Sequence, residues 1–415
     1  MNYISKYLRD QKLFDLFNRL KPLLFNYFTQ FVTGAVSLFL TSRMSFLFTP
    51  GDINYYEQTI SIATIFVTIS IWGYDASAIF DEAKRTVKNY LSISIMLLMN
   101  FSILAIGTIL LNSYFHWFKY LNLILLITVT NLTFSTLSNM MTYSGFIKWV
   151  NTANIISALV RVSTIMLCVF LFNKSMELWF YALVFANLSA ICFIGWMCRE
   201  VLFNGIYRRR LFILKYVKYA KIGLLLILPQ LLSIFSERFG RIFVSYQQES
   251  VGGASYQLAQ STSLILLSLN VGYSRFFASD FFVKTKQMGI IAYINSHLKS
   301  YFFICFFGII ACVIFWKIFI GETYSSSTYN TMILVMLCIG YVIDGLVKFY
   351  LFSLNYLKKY KLITIYMIGF LTIYVVLTFI LNKPLATLGI VISSLTANVV
   401  LLTLLYKTTI SESKK

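Results

Sequence analysis

Charged side chains inside long apolar runs are the residues in this chain best placed to do chemistry. Arg161 sits near the middle of NIISALVRVSTIMLCVFLF, with its nearest charged neighbours at Lys148 and Lys174. It can neither reach water easily nor pair locally. A guanidinium there either meets an anionic substrate in a wet lumen or pairs with an acid on another helix, such as Asp344 or Glu237. In LLLILPQLLSIFSERFGRIFVSY, Glu237 and Arg241 stand four residues apart in the favourable acid-first order, and Arg238 projects at an adjacent angle. One arginine is then neutralised and another left for a ligand, unless the cluster only anchors the helix end. Asp344 and Lys348 repeat the spacing in YVIDGLVKFY, either as a self-neutralised pair or as part of a site. Asn26 and Gln30 lie one turn apart on one helix face, suited to lining a lumen or to bonding between helices. Asp75, in WGYDASAIF, fits an interfacial position. Glu237 and Asp344 are the acids available for ion coupling.

These residues need elements that hold them in a bilayer. The 415 residues are 59% hydrophobic and 12% charged, about half the charge of a soluble domain. The apolar runs are unbroken and membrane-length, which predicts helices rather than the short alternating strands of a barrel. Twelve spans are predicted: 22–42, 58–79, 90–112, 119–142, 150–172, 177–197, 222–244, 255–274, 300–320, 329–352, 361–381 and 385–406. Residues 1–21 alternate apolar and charged positions at helical spacing, as an amphipathic helix on the membrane surface does. With the N-terminus inside, 26 of the 35 Lys and Arg fall on the cytoplasmic side, five on the other and four within spans. That bias places both termini in the cytoplasm.

The stretch 199–221 holds seven basic residues and one acid, and divides the spans six and six. The predicted organisation is a surface helix (1–21), a six-helix bundle (22–198), a basic cytoplasmic linker (199–221), a second six-helix bundle (222–408) and a tail (409–415). Residues 54–61, NYYEQTIS, match 254–261, ASYQLAQS, faintly at an offset of about 200. This agrees with two halves that hold a site between them.

The net charge of +20 does not point to nucleic acid, because the charges sit in short loops set by topology. No phosphate-binding GxxxxGK[ST] loop, no Ser-His-acid set and no HExxH is evident, so an enzyme is not expected. The six cysteines match neither a zinc pattern nor a disulfide framework. No metal or other cofactor is expected.

Three stretches carry a family resemblance: LTSRMSFLFTPGDINYYEQTISIATIF, LPQLLSIFSERFGRIFV and YQLAQSTSLILLSLNVGYSRFF. With twelve spans split by a basic loop, they resemble the O-antigen flippases. These form the polysaccharide branch of the multidrug/oligosaccharidyl-lipid/polysaccharide exporter (MOP) superfamily. Glu237 stands where that family usually has Asp. The resemblance implies an all-α, MATE-like fold in the bacterial inner membrane. It also implies a substrate, undecaprenyl-diphosphate-linked oligosaccharide repeat units, and as partners a polysaccharide polymerase and a chain-length regulator. Arg161, Arg238 and Lys348 would then meet phosphate or acidic sugars in the lumen, with Arg241, Asn26 and Gln30 as further lining candidates. A multidrug or cation antiporter of the same superfamily would need a lumen of net negative charge. An O-antigen polymerase would be expected to carry a large outer loop with catalytic arginines.

Overall fold

The computed structural model describes residues 31–71, 90–115, 121–143, 146–171, 175–197, 237–245, 251–357 and 359–413, with single positions at 25, 28, 29, 199, 227, 231, 232, 234 and 235. The expected surface helix at 1–21, Asn26, Gln30, Asp75 and all of the basic linker but Arg199 lie outside this set. The described chain is helical throughout. In order the helices are α1 (Phe31–Leu47), α2 (Pro50–Ile71), α3 (Tyr90–Phe115), α4 (Leu121–Tyr143), α5 (Ile147–Leu171), α6 (Met176–Met197), α7 (237–245), α8 (Val251–Met288), α9 (Ile290–Phe319), the short α10 (Glu322–Ser325), α11 (Thr328–Tyr356), α12 (Tyr360–Leu385) and α13 (Thr387–Ser413).

Among the described residues, eight of these helices are long and apolar enough to cross a membrane: α3 to α6, α9 and α11 to α13. α2 and α8 fall outside that group. They carry Asn54, Glu57, Gln257, Gln260, Ser261 and Asn270, all buried. Large apolar side chains face outward instead, as on α9, where Phe303, Phe306, Phe307, Ile310, Ile314 and Ile318 form a helical stripe. A stripe of that kind has lipid for its solvent. The helices therefore turn their polar faces inward, the reverse of a soluble bundle.

Two helix starts have clear local causes. α2 begins earlier than the predicted span, at Pro50. Thr49 caps it: its Oγ1 donates to Asp52 Oδ2 at 2.7 Å and accepts from Asp52 N at 3.3 Å, and Thr49 N donates to Asp52 Oδ2 at 3.2 Å. Pro suits the first helical position because its missing N–H would be unbonded there. This early start brings Tyr56 and Glu57 inside the helix. The second departure is at 275–299, expected as a loop. Helix α8 runs through to Met288, Gly289 turns the chain at φ 85°, and α9 starts at Ile290. The basic residues Lys284 and Lys286 lie inside α8 without ending it. His297, near the edge of that expected loop, lies within α9.

Packing falls into two sets. α2 packs on α3, α4 and α6, and α5 on α6; α8 packs on α9 and α11, α11 on α13, and α12 on α13. The main seam between the sets is α2 against α8. Further ties gather at the end of the molecule where α1 passes into α2. Ser42 Oγ donates to Phe319 O at 2.6 Å, and Gly321 N donates to Ser45 Oγ at 3.0 Å. A Cβ on Gly321 would sit 3.0 Å from Ser45 O, so glycine lets these two turns touch.

Candidate functional site

The seam is held by a buried ion pair. Glu57 on α2 accepts from the Arg241 guanidinium on α7, 184 residues away in sequence. Its other oxygen, Oε1, accepts from Ser261 Oγ on α8 at 3.0 Å. Arg241 is 3% exposed and Glu57 8%. Around them Gln257 Nε2 donates to Arg241 O at 2.9 Å, and Ser245 Oγ donates to Asn54 O at 3.1 Å. A Cβ on Gly240 would collide with the hydroxyls of Tyr256 and Tyr374. Glycine before Arg241 thus lets α7 nest against α8 and α12.

Arg161 reaches the same place from α5. Its guanidinium donates to the hydroxyl of Tyr56, the residue next to Glu57. The Tyr56 ring stacks on Phe180 at 5.1 Å and meets Trp179 edge-on, which fixes its hydroxyl toward Arg161. Tyr56 lies within electrostatic reach of Arg161, Glu57 and Arg241 together. Arg161 has no acid within salt-bridge distance among the described residues, so neither Asp344 nor Glu237 is its partner there.

The remaining candidates form a second group. Asp344 Oδ2 and Lys348 Nζ pair at 2.7 Å along α11, and Glu237 pairs with Arg238 at 3.5 Å rather than with Arg241. All four are partly exposed. Glu237, Asp344 and Lys348 line one cavity of about 140 Å³ within the second set of helices, with Gln260, Tyr341 and Asn398. Among the described residues, Gln260 Oε1 is buried with no hydrogen-bond partner.

The intramembrane charges can therefore be paired off. Arg241 is matched by Glu57, Arg238 by Glu237 and Lys348 by Asp344. Among the described residues, the intramembrane cation left over is Arg161. Asp344 and Lys348, spaced i,i+4, pair with each other, while the arginine that Glu237 meets is Arg238 and not Arg241.

Sequence reasoning passed over Glu57, Tyr56 and Ser261. The faint repeat held the signal, since it aligns Tyr56 with Tyr256, Glu57 with Gln257 and Ser61 with Ser261. Glu57 and Gln257, from matching positions of the two halves, both bind Arg241, one at its guanidinium and one at its carbonyl.

No family model matches the chain, and no curated protein does. Solved structures do match over nearly the full length. A multidrug-resistance MATE transporter of the MOP superfamily, in an inward-facing conformation, aligns with a TM-score of 0.63 at 13% identity, covering 93% of this chain and 96% of that one. This chain has the MATE transporter fold. A Vibrio cholerae MATE transporter gives a TM-score of 0.59 at 14% identity over 95% of each chain. A MOP-superfamily transporter from Pyrococcus furiosus, described as having a binding pocket of reverse polarity, gives 0.60 at 14% identity over 95% of this chain and 96% of its own. The MATE fold makes the chain a polytopic membrane protein and is consistent with about twelve spans. At these identities the likeness is one of fold.

Proposed function

We propose that the protein is a flippase of the bacterial inner membrane. Its substrate is an undecaprenyl-diphosphate-linked oligosaccharide unit, such as an O-antigen repeat, and both of its termini are cytoplasmic. The observation that carries this reading is Arg161. Among the described residues it is the mid-membrane cation left without an acid once the other charges are paired, and it leaves the described interior with a net positive charge. A diphosphate and its polar glycan cannot cross hydrocarbon. A cationic, wet path between two sets of helices screens both while the polyprenyl tail stays in lipid. Arginine suits the phosphate because its planar fork offers two parallel donors. Alternating access by rocking of the halves moves the site from one face to the other. Glu237 and Asp344, the acids of the cavity in the second set of helices, are the candidates for ion coupling.

A multidrug antiporter shares the fold. It needs a path that attracts cations, and the unmatched charge at Arg161 argues against one. The reverse-polarity pocket described for the Pyrococcus furiosus transporter is a precedent for pocket charge varying within the superfamily.

The test is Arg161→Ala in cells whose only copy carries the change. Surface polysaccharide falls about tenfold or more, as loss of a charged contact in a water-poor site predicts. Lipid-linked units accumulate on the cytoplasmic leaflet, and resistance to cationic dyes is unaltered. Wild-type polysaccharide in that strain sinks the reading, and loss of dye resistance instead favours the antiporter.

A further inference from the structure

We propose that Arg161 and Arg241 form a single two-guanidinium site for a diphosphate, and that Glu57 is its built-in competitor. The inference rests on the flippase reading and adds to it a resident anion that the substrate must displace. Two arginines from different sets of helices reach consecutive residues of one helix turn, Tyr56 and Glu57. Among the described residues, the one carboxylate, Glu57, pairs with Arg241, and Arg161 has only a neutral hydroxyl. The Nε of each arginine is buried with no acceptor among the described residues. For Arg241, 3% exposed, that is a donor sealed from water. The site thus holds more positive charge and more N–H groups than its own carboxylate can use.

A diphosphate supplies what is lacking: more than one negative charge and several oxygens at a spacing that two guanidiniums can share. Arg161, the less buried of the two, is the landing point. A phosphate held there puts a second anion beside Glu57, and like charges in that setting repel strongly. Glu57 then gives up Arg241 and keeps Ser261 as its donor. While the site is occupied, α5 and α7 are joined through the ligand, and Glu57–Ser261 still ties α2 to α8. When the ligand leaves, Glu57 returns to Arg241 and ties α2 to α7 again. An acid that competes for the site keeps substrate from being held too tightly to release.

The test is binding of farnesyl diphosphate, with uncharged farnesol as control, to the full-length protein in nanodiscs. Glu57→Gln keeps the acceptor and removes the charge, and it should tighten binding about tenfold. Ser261→Ala, which leaves the displaced Glu57 without its remaining donor and threatens folding less, should weaken it about two- to threefold. Arg161→Ala should weaken it about tenfold or more. Unchanged or weaker binding by Glu57→Gln, or unchanged or tighter binding by Ser261→Ala, with wild-type binding intact, overturns the competitor while the flippase reading stands. Equal binding of farnesol, or no binding by any form, overturns both.

Discussion

At the scale of single residues, the decisive fact is that a buried carboxylate and a buried guanidinium neutralise each other across the seam. Removing one partner leaves the other charged and dry, which costs about 3–5 kcal/mol, whereas replacing both by apolar residues costs far less. Arg241→Met should therefore shorten the lifetime of the purified protein at elevated temperature severely. The double variant Glu57→Leu, Arg241→Met should recover much of it. The measure is a double-mutant cycle on inactivation half-lives, suited to a membrane protein that unfolds irreversibly. Simple additivity of the two changes would refute the pairing. Arg241 was legible in the sequence as a charge out of place, but its partner was not. Hydropathy started the span at residue 58, one position past Glu57, and nothing local links residues 184 positions apart. Asp344 and Lys348 were legible because their pairing is a property of one helix.

At the scale of elements, small residues and tyrosine hydroxyls set how closely the helices of the second set approach. The Tyr301 hydroxyl on α9 lies 2.9 Å from Asn270 Oδ1 and 2.8 Å from Val342 O, two acceptors that share its one hydrogen, and Asn270 on α8 donates to Tyr341 O at 2.6 Å. This cross-tie fixes α11 just before Asp344. A Cβ on Gly345 would fall 1.9 Å from the Tyr301 hydroxyl. Gly345→Val should break the tie and cost about 1–3 kcal/mol by overpacking. It should also displace Asp344 from its cavity, so thermal stability and transport fall together. Gly369→Ala, with open space around it, is the control and should be silent. Hydropathy placed α3 to α6, α11 and α12 to within a few residues, but not the ends of α2, α8, α9 and α13. Hydropathy marks where lipid stops. The ends of α8 and α9 are set by Gly289 and by aromatic packing such as Phe277 stacked on Phe349 at 4.5 Å.

At the scale of the whole molecule, the structure holds its two sets of helices together at the end where α1 meets α2. Ser42, Ser45 and Gly321 tie the tips, and the Glu57–Arg241 pair lies about two turns further in. If transport proceeds by rocking, this end must open once per cycle. The tip ties are neutral hydrogen bonds, each worth about 0.5–1.5 kcal/mol, weak enough to break thermally. A covalent tie is not. Ser45→Cys with Gly321→Cys places two thiols where backbone and side chain already touch. Oxidation should lock the end and stop transport, and a reductant should restore it, while each single variant stays active with or without oxidant. The native cysteines among the described residues are free, and Cys305, Cys312 and Cys338 are buried; the single variants control for them. Full transport by the locked protein would mean that substrate crosses without this end opening, and a path through the seam would have to be given up.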